Sequence, residues 1–504
     1  MHIHQNLNLG ISHKIVNFKI KRVVVGLRFN VVMGVLGSIL WLLAGFMLIP
    51  LLVAVYYREP LHTFMIPLVL MLIVATLLKA FVKRESVEWN LKEGFFIVAS
   101  SWLIAAVFYS IPYMLEGVPP INALFESMSG VTATGATALT DIERHSKSLL
   151  FLRSMTQWLG GMGIIMLFVA ILPKLGVAGR QIFRAEVPVL QEEKLRPRIR
   201  GTAKNLWFIY ILLSLAEFIV LSIAGLSPYD AITHTFTSIS CSGFSPYSDS
   251  IAAFNDPLVE IIIMCFMFLG GANFALHYRT IFSDRKSLIN DQEFRFYFFI
   301  IASATLLLAF NLFRAEIYSL TDSFRYSSFH VISILTTTGY ATADFNLWPD
   351  SSRFILFLLM FIGGCAGSTS GGLKAVRLLL LLKHTDKVLF RTIHPKAVTP
   401  IRLNDKIVPE DVMHSIVSFM VIYIMIFFTS SALLSFMGMD FVTALSASIA
   451  TLGNVGPGLG LVGPMESFDA IPDMGKLILT ANMWIGRLEV FTVIVLLTPA
   501  FWKK

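Results

Sequence analysis

Charged residues are scarce in this chain, and cysteine is nearly absent. Asp, Glu, Lys and Arg make up only 14% of the 504 residues, whereas hydrophobic residues make up 56% and the mean hydropathy is +0.72. This balance excludes an ordinary soluble globular protein. The three cysteines, Cys241, Cys265 and Cys365, lack the paired spacing of a zinc site or a disulfide framework. We therefore expect a membrane protein without redox chemistry.

Two further absences concern catalysis and processing. The chain has no phosphate-binding Gly-x-x-x-x-Gly-Lys-Ser/Thr loop and no convergent set of His, Asp, Glu or Ser near one interface. We expect no enzyme activity and no bound organic cofactor, so any control by nucleotides must come from a partner. A secretory signal would have a short apolar core, but the first apolar stretch is long and continues into Tyr56-Tyr57-Arg58. It is interpreted as a retained helix.

Long apolar stretches recur along the whole chain. About 20 apolar residues are enough to cross roughly 30 Å of hydrocarbon as a helix. Stretches of this kind predict about ten membrane spans, at residues 29–57, 64–82, 95–115, 148–173, 205–226, 257–276, 294–313, 353–382, 411–437 and 476–500.

The positive charges are concentrated in alternate loops. Of the 40 Lys and Arg residues, 30 lie in residues 1–24, 79–93, 174–204, 279–295, 374–406 and 503–504. The positive-inside rule places these segments and both termini in the cytoplasm. The net charge of +8 is then explained by a basic surface beside anionic lipid, and nucleic-acid binding is not expected.

Four of the outer loops share one pattern, a short semi-polar segment and a Thr/Ser-rich run that ends at glycine. The four glycines are 108, 96 and 117 residues apart, at Gly135, Gly243, Gly339 and Gly456. The segments before them are about 12 residues long, too short to cross the membrane, so they must enter it and return. One such string alone is more often a helix end with a glycine cap. Four in register predict four copies of span, re-entrant loop and span.

Re-entrant backbone at membrane depth is tolerated only where protein buries it or it lines a water-filled path. Four short helices that meet on one axis would direct the partial negative charge of their carboxyl ends at a cation. Extended Thr/Ser-Gly backbone would supply carbonyl oxygens in place of the water around the ion. The pattern therefore predicts a cation path.

The residues on these segments resemble the Trk/Ktr/HKT superfamily of cation transporters, in particular its Trk-type bacterial subunits. The resemblance runs nearly end to end and is carried by long strings: Gln157-Trp-Leu-Gly-Gly-Met-Gly-Ile-Ile, Arg184-Ala-Glu-Val-Pro, Leu195-Arg-Pro-Arg-Ile, Ala272-Asn-Phe-Ala-Leu-His, Gly363-Gly-Cys-Ala-Gly-Ser-Thr-Ser-Gly-Gly-Leu-Lys, Asn454-Val-Gly-Pro-Gly-Leu-Gly and Gly486-Arg-Leu-Glu-Val-Phe-Thr. Two extra N-terminal helices favour the Trk branch over the shorter Ktr branch.

The resemblance implies a pore selective for K⁺, a homodimer in which each chain has its own pore, and a cytoplasmic ring of nucleotide-binding regulatory subunits. It implies that K⁺ is held at Thr134, Gly135, Cys241, Ser242, Gly243, Thr337, Thr338, Gly339, Asn454, Val455 and Gly456, with Ala133 where a threonine is expected. Two departures, Cys241-Ser242 before Gly243 and Ala343-Asp344 after Gly339, leave the degree of preference for K⁺ over Na⁺ open.

The span 353–382 is interrupted by a run of small residues that no continuous helix would favour. Its members are Gly363, Gly364, Cys365, Ala366, Gly367, Ser368, Thr369, Ser370, Gly371 and Gly372. A mobile gate below the loops is the favoured interpretation, and the resemblance implies a gating loop here. Close helix packing is the alternative.

Arg487 lies about ten residues inside the last span, where a charge must face protein or water. Glu489 would point to a nearly opposite helix face, so the predicted partners of Arg487 are carbonyls or hydroxyls of residues 363–372. Snorkelling to the interface is the alternative, but the distance is long.

Other ionisable residues are weaker candidates. Proton coupling and bracing of helix packing are both compatible with three of them, with bracing favoured: Glu217, Glu260 and His277. Concentration of cations at the mouth and ordinary solvation are equally compatible with three acids near the loops, Glu126, Asp141 and Asp344. His2 and His4 are expected to belong to a solvated tail.

The sequence thus predicts an all-α polytopic protein of the bacterial plasma membrane, with four pseudo-fourfold repeats after two N-terminal helices. The predicted regions are 1–90, 91–180, 181–290, 291–385 and 386–504. Its predicted function is selective potassium uptake. The rivals are an alternating-access secondary transporter, which would have two inverted halves, and a membrane enzyme. Proton symport against passive flux stays open, as does the regulating nucleotide.

Overall fold

The computed structural model describes residues 27–80, 90–171 and 195–503. The basic segment 1–24, with His2 and His4, lies outside the described residues, as does most of the linker 174–204. The predictions for those segments therefore have no structural counterpart.

The regular secondary structure of the described residues is almost entirely helical. Its long helices are α1 (Phe29–Tyr57), α2 (His62–Ala80), α3 (Leu91–Leu115), α5 (Lys147–Ile171), α6 (Leu195–Ile223), α11 (Gln292–Arg314) and α15 (Glu410–Phe436). Three further predicted spans are divided into pairs, α8 (Pro257–Gly270) with α9 (Phe274–Phe282), α13 (Asp350–Leu359) with α14 (Ala375–Ile393), and α17 (Asp473–Arg487) with α18 (Phe491–Leu497).

Each of the ten predicted apolar stretches is therefore occupied by helix. By length and composition, six helices of the described residues can cross a membrane, or eight if each sharply bent pair is one span. The pair α8 and α9 bends by 98°, and the pair α17 and α18 by 117°. The two remaining stretches are α5 and the pair α13 and α14, which residues 360–374 separate without regular structure.

Four shorter helices, here called the loop helices, lie between the long ones. They are α4 (Pro120–Val131), α7 (Pro228–Ile239), α12 (Leu320–Leu335) and α16 (Phe441–Leu452). Side-chain caps start three of them, because Ser227, Ser319 and Asp440 each accept a hydrogen bond from the backbone three residues ahead. Pro120 starts the first, where its fixed φ suits the opening turn.

Packing surrounds the loop helices with the long ones. α1 packs on α2, and each loop helix packs against the span before it. Large apolar side chains stay exposed on the outer faces, among them Leu52, Phe299 and Phe428. Such a continuous apolar exterior is typical of contact with lipid. The remaining α-helices are the short α10 (Ser287–Asn290) and α19 (Pro499–Trp502). The other elements of the described residues are short 3-10 helices and the antiparallel strands β1 (Arg402–Leu403) and β2 (Lys406–Ile407).

Candidate functional site

The segments that follow the loop helices are called here the glycine loops: loop 1 (132–136), loop 2 (240–244), loop 3 (336–340) and loop 4 (453–457). Each repeats the same backbone torsions. The predicted glycine has a positive φ in every loop: 85° at Gly135, 70° at Gly243, 80° at Gly339 and 107° at Gly456. The residue two positions earlier is also left-handed, although none is glycine: Ala133, Cys241, Thr337 and Asn454, with φ between 52° and 59°. Glycine favours such torsions, and other residues adopt them at a cost.

These torsions return the backbone N–H groups of each loop towards its helix. The N–H before each glycine donates to the fifth residue back: Thr134 to Ser129 (2.8 Å), Ser242 to Thr237 (2.9 Å), Thr338 to Ser333 (2.8 Å) and Val455 to Ala450 (2.8 Å). These N–H groups are paired with carbonyls of the preceding loop helix. The carbonyl oxygens of the loops themselves therefore stay available for other partners.

The four glycines pack against one another's neighbours in a closed ring. A Cβ on Gly135 would overlap the carbonyl oxygen of Ser242 in loop 2. In the same way a Cβ on Gly243 would overlap the carbonyl of loop 3, and a Cβ on Gly339 that of loop 4. A Cβ on Gly456 would lie 3.0 Å from the carbonyl oxygen of Thr134, which returns the ring to loop 1. The carboxyl ends of the four loop helices therefore converge on one point.

Hydroxyl and amide groups support the ring from behind. The hydroxyls of Thr132 and Thr134 in loop 1 lie 2.7 Å apart, and so do the hydroxyls of Thr336 and Thr338 in loop 3. Loop 4 has Asn454 instead, whose Nδ2 donates to the Thr134 hydroxyl at 2.9 Å and joins loop 4 to loop 1. All these side chains are buried.

No group of three or more His, Cys, Asp or Glu side chains in the described ranges could hold a metal ion. The oxygens that converge at the loops belong to backbone carbonyls and hydroxyls. Such oxygens suit a weakly hydrated monovalent cation.

Residues 360–374, here called the interrupting segment, lie against the ends of the loop helices. The Thr369 hydroxyl donates to the carbonyl of Ile239 at 2.8 Å, at the end of α7. The Gly371 N–H donates to the Thr337 hydroxyl in loop 3 at 2.7 Å. The Cys365 N–H donates to the carbonyl of Gly271 at 2.8 Å, in the bend between α8 and α9. The segment is therefore bonded to loop 3 and to the span that follows loop 2.

Arg487 ends α17 and is buried. Its guanidinium donates to the carbonyl of Thr369 at 2.9 Å, and to the carbonyls of Gly160 and Gly161 in α5 at 2.8 and 3.2 Å. The predicted contact with a carbonyl of residues 363–372 is confirmed. Glu489 forms an ion pair with Arg377 instead, which agrees with the expectation that it is not the partner of Arg487.

Three residues of this region were missed by the sequence analysis as site residues. The carboxylate of Glu293 in α11 accepts the N–H of Ala366, within the small-residue run, at 2.6 Å, and the N–H of Val376, beyond the end of the run, at 3.2 Å. The ammonium of Lys374 donates to the carbonyl of Ser370. The third, Gln157 in α5, contacts loop 2. For Lys374 and Gln157 the available signal was a charged or amide residue inside an apolar stretch, whereas Glu293 directly precedes the stretch 294–313 and gave no such signal.

Both interpretations of one outer acid are wrong. Glu126 neither lines the mouth nor is solvated: it is fully buried and pairs with Arg153, at 2.5 Å from Oε1 to Nε. Asp141 is exposed and pairs with Arg144, and Asp344 caps a short turn through the N–H of Asn346.

A further outer acid, Glu116, follows α3. Burial acts to raise the pKa of its carboxyl, but hydrogen bonds from His145 and Ser146 outweigh burial, and the pKa lies below its usual range.

The three intramembrane candidates for proton coupling all have protein partners. Glu217 accepts from the Ser238 hydroxyl, Glu260 accepts two hydrogen bonds from Arg325, and His277 Nε2 lies 2.9 Å from the carbonyl of Leu269. Bonds of this kind are those that the bracing interpretation predicts.

The apolar helices and the convergent loops define a polytopic membrane protein of the ion-transport class. A family model described as "TrkH: Cation transport protein" matches residues 60–504. The chain belongs to this family, as the sequence resemblance indicated, and it is a transport protein and not an enzyme.

Individual relatives match over nearly their whole length. The chain is 39% identical over 490 residues to "Trk system potassium uptake protein TrkH" of Escherichia coli K12, covering 95% of this chain and 100% of the relative. It is 35% identical over 481 residues to "Trk system potassium uptake protein TrkG" of the same organism, covering 94% and 99%. The crystal structure of "the Potassium Transporter TrkH from Vibrio parahaemolyticus" superimposes with a TM-score of 0.86 at 35% identity, covering 95% and 100%.

Proposed function

We propose that this protein takes up K⁺ across a bacterial plasma membrane through a selectivity filter made by the four glycine loops. The observation that carries the proposal is the closed ring, in which each loop glycine packs against the carbonyl that precedes the next glycine. The identity of the ion is inferred from the relatives, which are named as potassium uptake proteins.

The mechanism follows from the backbone. A K⁺ ion sheds water as it enters the ring, and carbonyl oxygens of loops 1 to 4 take the place of that water. The carboxyl ends of α4, α7, α12 and α16 add partial negative charge at the same point. No side-chain carboxylate is needed, in keeping with the burial of Glu126 in an ion pair.

The proposed architecture is four repeats of span, loop helix and span, preceded by α1 and α2. The repeats comprise residues 91–180, 181–290, 291–385 and 386–504. The closed order of loops 1, 2, 3 and 4, each with the same torsions, supports a pseudo-fourfold pore. An alternating-access transporter with two inverted halves would place its loops in opposite orientations, so this order speaks against it.

The proposed gate is the interrupting segment together with Arg487. Its small residues, Gly363 to Gly372, bond to loop 3 and to the bend after α8, and its Thr369 carbonyl is held by Arg487. Movement of such a segment would open or close the path below the ring. A cytoplasmic nucleotide-binding subunit that controls this gate, and a homodimer with one pore per chain, are proposed from the resemblance. So is the cytoplasmic position of both termini.

The test is ion flux in liposomes that contain the purified full-length chain. We expect passive flux that is larger for K⁺ and Rb⁺ than for Na⁺. The rate of K⁺ flux should stay the same when the gradient of any second ion is removed. Saturable exchange tied to a second ion would overturn the pore in favour of the transporter. A pH-sensitive dye inside the liposomes separates proton symport, which acidifies the lumen as K⁺ enters, from passive uptake.

A further inference from the structure

The side chain of Gln157 joins α5 to loop 2. Its Nε2 donates to the carbonyl of Ser242 at 2.8 Å, and its Oε1 accepts the N–H of Phe244 at 3.0 Å. The amide is fully buried and holds the backbone on both sides of Gly243. The Ser242 carbonyl is also the oxygen against which Gly135 packs in the ring. Gln157 therefore acts directly on one of the four ring carbonyls.

The matching positions of the other spans carry methionine. Gln157 stands three residues before Gly160, and the residues three before Gly270, Gly363 and Gly486 are Met267, Met360 and Met483. All three methionines are buried. The match is also structural, because Gly160, Gly270 and Gly486 each pack against the last carbonyl of a loop helix, those of Val131, Ile239 and Leu452.

A thioether has no N–H to donate, so methionine cannot repeat the contact that Gln157 makes. In the described part of the chain, no donor contacts the equivalent carbonyl oxygens of Thr134, Thr338 and Val455. One carbonyl of the ring thus differs from the other three in being held by a side chain.

We propose that Gln157 is a positioning residue for ion selectivity, which fixes the Ser242 carbonyl at the distance that suits K⁺. This inference rests on the proposed function, because it assumes that the ring conducts. A smaller cation such as Na⁺ is favoured when the ring oxygens can move inward. The amide opposes that movement in loop 2, because the carbonyl would have to leave its donor.

The decisive variant is Gln157→Met, which gives the first span the residue that the other three have. It removes both hydrogen bonds with little change of volume, so folding should be retained. The loss of one hydrogen bond between uncharged groups changes an equilibrium constant by about fivefold. We expect the ratio of K⁺ to Na⁺ flux in liposomes to fall by about fivefold. Gln157→Glu keeps the acceptor for Phe244 but cannot donate when ionised, and should lower the ratio at least as much.

Met267→Leu is the matched control, a volume-conserving change at the equivalent position that has no donor to lose, and its flux ratio should equal that of the wild type. A merely structural role for Gln157 would lower the K⁺ and Na⁺ fluxes in parallel, together with the melting temperature, and would overturn the inference. An unchanged ratio in both Gln157 variants would do the same. A wild-type protein with no K⁺ preference would instead overturn the proposed function.

Discussion

Replacement of Arg487 by alanine removes a charged side chain that joins the end of α17 to the interrupting segment. The guanidinium bridges the Thr369 carbonyl to the carbonyls of Gly160 and Gly161 in α5. If this bridge holds the proposed gate closed, its loss raises the open population. We therefore expect Arg487→Ala to increase K⁺ flux and to weaken control by a regulatory subunit.

The size of the effect follows from the hydrogen bonds lost. A hydrogen bond from a charged donor contributes about 1.5–3 kcal/mol. Three bonds that share one guanidinium are not additive, so we assign about 3 kcal/mol to the whole bridge. That free energy corresponds to roughly a 100-fold shift in the ratio of open to closed protein. Flux should rise by the same factor while the open state stays a small minority.

The assay is tracer K⁺ uptake into liposomes at matched protein amounts, with the melting temperature as a check on folding. Arg487→Lys is the matched variant: an ammonium is a point charge without the fork that reaches both α5 and Thr369, so intermediate flux is expected. Unchanged or reduced flux in a folded Arg487→Ala protein would refute the reasoning, because it would mean that the bridge does not restrict conduction.

Three further changes test other parts of the site. Gly339→Ser should relax K⁺ selectivity, since φ > 0 costs about 1–2 kcal/mol for a residue with a Cβ and a Cβ there overlaps the loop 4 carbonyl; Gly45→Ala, in open space, should leave the flux ratio unchanged. Glu126→Gln should destabilise by about 3–5 kcal/mol, seen as a lower melting temperature, because it strands Arg153 without its counter-charge; full stability would contradict the buried pair. Glu293→Ala should speed hydrogen exchange at residues 366–376, and unchanged exchange would show that the carboxylate does not hold the segment.

The predictions that succeeded rest on local sequence. Apolar length indicated the helices, and the interruption at Gly363 to Gly372 indicated the break, because both depend only on neighbouring residues. The left-handed torsions of Ala133, Cys241, Thr337 and Asn454 could not be predicted in this way. Ala133, Cys241 and Thr337 do not favour such torsions, and the converging loop helices impose them. Asparagine adopts them more readily than most residues with a Cβ, but nothing local to Asn454 indicates that it does so here.

Contacts between distant segments were the other feature that could not be predicted from local sequence. Glu126 was expected either at the outer mouth or in solvent because it lies near a glycine loop, and nothing near it in the sequence indicates Arg153, which lies in the next span. A buried acid needs a partner, so its place on a loop helix was a reason to search the flanking spans for a base. The same reasoning applied to Arg487 led to residues 363–372 correctly, since few polar groups lie at that depth.

Comparison of the proposed repeats with one another isolates the residues that break their symmetry. Three spans carry a Gly-Gly pair, and the fourth has Gly486-Arg487, so Arg487 occupies a position that is otherwise glycine. Gln157 occupies one that is otherwise methionine. A symmetric pore needs neither residue for packing, because its other repeats pack without them. Both make hydrogen bonds to backbone carbonyls at or just below the ring, and this combination is the reason to assign them to selectivity and gating and not to the fold.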